Sequence, residues 1–225
     1  MIEKMEHMMM GLQLSTAERK KVQIGLGSSM SGMSGIAPQK AFGKLLSDRR
    51  IHLEVIEQAV GWIWCPVKGI ECKDLGDNFF LFTFGQAAGK QKALEEGPWM
   101  VSHELLVVAI FDGSKTLDEI EFASIPIWVR VANLPMGLMN RSTAQAIGDE
   151  VGKFLEMEDE AEPDEIVVGH VLRLKVRLDI HKPLMRGVTV SLGDGYADRW
   201  CPLSYEFLPK FCYCCGIIGH IDRTC

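Results

Sequence analysis

The sequence predicts an α+β protein: two small modules in series, followed by a metal-held unit at the C-terminal end. Three observations lead there. Between residues 40 and 112 the hydrophobic period switches between that of strands and that of helices in the order β-α-β-β-α-β, a split βαβ arrangement. Between 124 and 208 short strand patterns dominate, interrupted by one helical stretch. At the end of the chain Cys212, Cys214, Cys215 and Cys225, four of the seven cysteines, crowd around His220.

Composition bounds the reading. The 225 residues are 47% hydrophobic and 24% charged, which supports a packed core and rules out wholesale disorder. A net charge of −6 excludes a uniformly basic nucleic-acid coat but leaves room for a local basic face. No apolar run reaches membrane-spanning length, and the opening MIEKMEHMMM lacks the long apolar stretch of a secretory signal. An odd cysteine count without such a signal points to a reducing compartment, nucleus or cytoplasm, and to metal rather than disulfides.

The elements follow in order. Residues 1–39 read as a flexible lead-in: a frayed helix over the first 21 positions, then Gly25–Gly35 with eight Gly or Ser. Gly25-Leu26-Gly27 lacks both the third glycine and the preceding strand of a dinucleotide loop. From 40 to 112 come a strand over Ala41–Leu46 and a helix capped by Ser47 or Asp48 that runs to Trp64. Strands over Ile70–Leu75 and Phe79–Phe84, a helix over Gln86–Glu96 and a strand over Leu105–Phe111 complete the module. RNA-recognition-motif domains use the same order. Phe80, Phe82 and Phe84 share one strand face, which is expected in the core; Phe79, Leu81 and Thr83 share the other. From 124 to 208 the pattern gives a strand over Ile125–Val131, a helix over Thr143–Phe154 and a solvated acidic loop over Glu156–Glu165. A long strand over Val171–Ile180 and a hairpin of Val188–Leu192 with Trp200–Phe207 follow. This half is rich in strands and less clearly repeated.

Residues 212–225 read CYCCGIIGHIDRTC. Cys212, Cys215, His220 and Cys225 give C-x2-C-x4-H-x4-C. Three thiolates and one imidazole suit a single tetrahedral, structural zinc and fill its four positions. Gly216 and Gly219 let the backbone wrap closely around it. So short a unit builds no core, so the metal must hold it.

This segment resembles a retroviral-type CCHC zinc knuckle, with an aromatic after the first Cys, Gly after the second and Gly before His. The resemblance implies binding of unpaired bases on an apolar platform, here Tyr213 and Ile221, with Arg223 as a nearby cation. Ile217 departs from the Lys such knuckles often carry. Upstream, FGKLLSDR, WxxxKGIECKDLGDNFFLFTF, LEEGPW, IPIWVRVANLP and LPKFCYCCGIIGH resemble the plant "domain of unknown function 4283" family joined to a CX2CX4HX4C knuckle, over about Ala41 to Cys225. The resemblance implies a retrotransposon-derived protein, similar to the first reading frame of LINE-type elements, that binds zinc and nucleic acid without enzymatic activity.

Other residues add to or subtract from that expectation. Arg173, Lys175 and Arg177 alternate with apolar residues and line one sheet face, and Lys210 sits beside the knuckle. Residues 170–225 hold eight Lys or Arg against five Asp or Glu, so a basic half carries the binding while the rest of the chain is acidic. No nucleophile motif surrounds Cys65, Cys72 or His52, and His103, His170 and His181 are isolated. The expected function is zinc-dependent binding of single-stranded nucleic acid, RNA favoured, with little sequence specificity and no membrane association. The alternative is a domesticated protein-interaction or self-association module with a structural zinc. The expected divisions are 1–39, 40–112, 124–208 and 210–225.

Overall fold

The computed structural model describes residues 20–22, 39–158, 170–193 and 195–225. The Gly/Ser-rich stretch, nearly all of the N-terminal helix reading and most of the acidic stretch after Glu158 lie outside the described residues.

The first sheet is assembled from β1 (Gln39–Leu46), β2 (Ile70–Gly76), β3 (Phe79–Phe84), β4 (Trp99–Val101) and β5 (Glu104–Ile110), with helices α1 (Leu53–Trp64) and α2 (Ala87–Glu95). All pairings are antiparallel, in the order β2-β3-β1-β5-β4. Two-residue turns close both hairpins. Asp77 and Asn78 (φ 48° and 59°) join β2 to β3, and Ser102 and His103 (φ 51° and 67°) join β4 to β5. The first turn is announced by Gly76-Asp77-Asn78. The second has no such composition, which hid the three-residue β4.

α1 begins later than its sequence suggests. Ser47 Oγ instead accepts from the Arg49 N–H (3.1 Å), and Asn78 donates to the carbonyls of Ser47 (2.8 Å) and Arg49 (3.1 Å). Arg50 reaches β2 to pair with Asp74 at 2.7 Å. These bonds hold residues 47–52 across the end of the sheet in a non-helical path. Ile56, Val60 and Trp64, one helical turn apart, are buried on Ala41, Leu45, Phe80, Phe82 and Phe84. Trp64 stands edge-on to Phe82 (centroids 5.1 Å apart, 89°). The three-Phe face is therefore core, as its alternation predicts.

The second sheet holds β6 (Ser124–Ala132), β7 (Lys153–Met157), β8 (Val171–Asp179), β9 (Gly187–Val190) and β10 (Arg199–Tyr205), with helix α3 (Arg141–Val151). Its order is β7-β8-β6-β10-β9. Asn140 caps α3 by accepting from the Thr143 N–H at 2.9 Å. The helix ends three residues before Phe154. Gly152 turns the chain, Asp149 accepts from the Phe154 N–H at 3.0 Å, and Phe154 joins strand β7. Phe154 keeps helical spacing from Ile147 and Val151, which explains the longer helix read from sequence. Glu156 is likewise not in a loop: it lies in β7 opposite Lys175. The acidic side chains there complement the cations of β8.

The two sheets repeat one plan. In each, the order across the sheet is second, third, first and last strand of the split βαβ unit: β2-β3-β1-β5 and β7-β8-β6-β10. The repeat is veiled in the sequence because the second unit replaces its second helix with β9. A continuous core joins them. Phe42, Leu105 and Val107, on the sheet face away from α1 and α2, are buried in the cluster that contains Ile127, Val129, Leu174 and Val176. Phe111 packs on Phe42 (5.0 Å) and Phe122 on Phe79 (5.5 Å), so the connection between the sheets covers that face. Residues 38–225 form one compact unit. Among the described residues, no helix is long and apolar enough to cross a membrane.

Candidate metal centre

The local chain path gathers the four candidate ligands. The Cys212 N–H donates to the Ile217 carbonyl (2.9 Å) and the Gly216 N–H to the Cys212 carbonyl (2.7 Å), closing a tight turn. Gly216 and Gly219 adopt φ of 76° and 96°, which L side chains rarely tolerate. The Gly219 N–H donates to the Lys210 carbonyl (2.9 Å), and Phe211 and Ile218 form an antiparallel bridge. These bonds bring one donor atom each from Cys212, Cys215, His220 and Cys225 within 4.8 Å of one another. Cys215 Sγ lies 3.3 Å from His220 Nε2.

This grouping can hold a metal ion, and its chemistry fits zinc: soft thiolates and an imidazole, four in number, clustered at tetrahedral-site scale. Burial most strongly opposes ionisation of Cys212, but hydrogen bonds from the Cys215 and Cys214 N–H groups, with those of the Cys215 and Cys225 thiols, together hold this thiol below its ordinary value. Hydrogen bonds shared with Cys212 and Cys215 push Cys225 up to about 11. A metal would displace that proton. Cys214, the extra thiol, faces a second grouping with Cys212 and Asp222. Asp222 also accepts from the Tyr213 N–H at 2.6 Å, which the sequence did not suggest.

The candidate platform residues stand beside these ligands. Tyr213 is 81% exposed and Ile221 46%, and Arg223 is exposed on the turn Asp222–Thr224. Phe211, not singled out from sequence, stacks at a tilt on Tyr213 with centroids 4.6 Å apart. Its position one residue before Cys212 was the available signal. Lys210 is exposed and pairs with Glu104 at 2.7 Å.

The unit is docked on the sheets. Ile218 is buried in the main core, the Leu184 N–H donates to the Gly216 carbonyl (2.9 Å), and Gly219 lies against Leu46.

Arg173, Lys175 and Arg177 share one face of β8, as alternation predicts, away from the metal ligands in the chain. Arg173 is clamped by Glu206 (2.8 and 2.7 Å) and Glu158 (2.8 Å). Lys175 is 7% exposed and pairs with Glu156 at 2.8 Å. Arg177 donates to the Leu94 carbonyl (3.4 Å). Much of their charge is thus satisfied within the chain. The scattered thiols are unsuited to nucleophilic work: Cys65 and Cys201 are buried, and burial, then Glu57 and Asp74, pushes Cys72 up to about 12.

Residues 41–119 match the family model described as domain of unknown function DUF4283. The match spans the first sheet and stops before the second and before the metal ligands. No curated protein matches the chain. Among solved structures, a chain of a Sxl-lethal protein/RNA complex aligns at 15% identity over 76% of this chain and 99% of that one, with a TM-score of 0.27.

Proposed function

We propose that this protein, with its DUF4283 match over the first sheet and its Cys/His grouping at the far end, is a zinc-dependent binder of single-stranded nucleic acid. RNA is favoured, and sequence specificity is low. The observation that carries the proposal is the convergence of Cys212, Cys215, His220 and Cys225 directly beside the exposed Tyr213 and Ile221. Zinc would fix the loop, and the loop would present an aromatic and an aliphatic surface on which unpaired bases stack. Arg223 and Lys210 would meet phosphates. Because four ligands fill zinc's coordination shell, no position is left to activate water, and the role is binding rather than catalysis. The reading places the protein in a reducing compartment, nucleus or cytoplasm, where thiolates stay available to metal. The resemblance of its motifs adds a retrotransposon origin.

Titration with labelled homopolymeric RNA, with and without a chelator, tests this. Tyr213→Ala should weaken binding about 5- to 100-fold, from roughly 1–3 kcal/mol of stacking per base. Arg223→Ala should lower the salt slope by up to about 0.7. Zinc content should be unchanged in both. Binding indifferent to chelator and to Tyr213→Ala would sink the proposal. A second reading, a domesticated protein-interaction module with structural zinc, draws on α1 and its following turn, where Val55, Trp62, Ile63 and Val67 are exposed.

A further inference from the structure

We propose that the outer face of the second sheet is a stacking platform for single-stranded nucleic acid, formed by Trp200 and by the Arg173–Trp128 pair with Arg130 between them. This rests on the reading that the partner is single-stranded nucleic acid, and adds a contact surface separate from the metal-ligand loop.

Strand alternation separates the two faces. Ile127, Val129 and Val131 of β6, Leu172, Leu174 and Val176 of β8, and Cys201 and Leu203 of β10 point into the core. Trp128, Arg130, Arg173, Lys175, Trp200, Pro202 and Ser204 therefore point the other way. Helix α3 lies on the core side, where Gly148 meets Phe154 and Leu174. The first sheet's matching face is covered by Phe111 and Phe122. On the second sheet Arg130 and Ser204 are exposed, and Trp200 keeps 52% of its surface open.

Both aromatic positions are preformed. Trp200 lies across Gly187 on β9: its ring atoms Cζ2 and Cε2 occupy the space a Cβ would take there. One side of the indole rests on backbone, and half of its surface remains open. Trp128 is covered by the Arg173 guanidinium, 4.1 Å from the ring centroid. Glu206 and Glu158 fix that guanidinium through three hydrogen bonds. It is a planar group already immobilised, and bases stack on guanidinium planes as on aromatic rings. Little side-chain freedom is left to lose on binding at either place.

Spacing and charge point to a strand of nucleic acid rather than a protein. Leu203 pairs with Val131, and the Glu206 N–H donates to the Trp128 carbonyl (2.9 Å). Trp200 is therefore six residues along β10 from the level of Trp128, about 20 Å at the strand rise. Arg130 lies within that interval. Its partner Glu206, 3.6 Å away, is already doubly bonded to Arg173, so a phosphate can compete for Arg130. The exposed Arg199 stands next to Trp200. An isolated open indole among arginines suits stacking with phosphate contacts. It does not form the continuous apolar centre of a protein interface.

The test compares Trp200→Ala, Trp200→Phe, Arg130→Ala and Tyr213→Ala in zinc-loaded full-length protein against short labelled oligouridylate and oligoadenylate. Trp200→Ala should weaken binding about 5- to 100-fold, Trp200→Phe should restore most of it, and Arg130→Ala should reduce the salt slope by up to about 0.7. A direct readout avoids relying on the alanine variant's fold: oligonucleotide should quench the wild-type indole emission, and that quench should shrink in Trp200→Phe and persist in Tyr213→Ala. Wild-type affinity and unchanged quenching in the Trp200 variants, with loss in Tyr213→Ala, would overturn the platform and leave the metal-loop reading standing. Absence of binding by any form, wild type included, would overturn both.

Discussion

Cys214 and Cys215 are neighbours in the chain with opposite expectations. Cys215 Sγ faces His220 Nε2 at 3.3 Å, whereas Cys214 groups with Cys212 and Asp222. Cys215→Ser should abolish binding of one zinc per chain, and Cys214→Ser should retain it, as measured by metal analysis of purified protein. Loss in Cys214→Ser with retention in Cys215→Ser would show that the ligands are drawn from the second grouping, and equal loss would show that the four-residue assignment is wrong. Glu206 carries a pH prediction. Its hydrogen bonds from Arg173 hold its carboxyl below the usual value. A depressed folded-state value contributes stability that is full above the unfolded carboxyl's range, about 4.3. That stability is lost as pH falls through the folded value. Glu206→Gln should cost about 1–2 kcal/mol at neutral pH, because both side chains are partly open (20% and 24%) and exposure screens the pair. It should also flatten the acid limb of a urea-stability profile. An unchanged acid limb would contradict the assignment. The ligand spacing and the alternation of Arg173, Lys175 and Arg177 were legible in the sequence. Their acidic partners were not, because Glu206 is 33 residues from Arg173 along the chain.

At the scale of elements, the Cys/His loop behaves as part of the fold. Ile218 is 4% exposed and packed in the main core. Ile218→Ala should therefore destabilise the whole protein by about 2–4 kcal/mol, within the range for deleting a buried aliphatic side chain. Denaturant titration of the zinc-loaded protein checks it; a change confined to zinc affinity would mean the loop only rests on the sheets. Strong periodicity made α1, β3 and β8 readable. β4 and β7 were missed for physical reasons. β4 has three residues and a turn without Gly or Pro, and β7 is an edge strand whose Glu156 is held by pairing with Lys175.

For the molecule as a whole, the shared core sets the expectation. Phe42, Leu105 and Val107 of the first sheet are buried with residues of the second, so residues 38–225 should melt in one calorimetric transition with matching calorimetric and van't Hoff enthalpies. Two resolved transitions would mean that the sheets fold separately. Chelation should leave most of the far-ultraviolet circular dichroism intact, since the strands and helices bury their apolar residues without using the metal ligands; its collapse would show that zinc organises the sheets as well.

The sequence alone determined the local pattern: the Cys/His spacing, the aromatic between its first two cysteines, the three-Phe core face and the split βαβ order of the first unit. Each depends on residue type and short-range period. Only the tertiary structure decided that the second unit repeats the first, that the first sheet's remaining face is covered, and that the metal loop is seated on the core. Those outcomes depend on strand pairing and burial between residues far apart in the chain. Alternation places Phe42 and Trp128 on sheet faces, and only their distant neighbours leave one buried and the other roofed by Arg173.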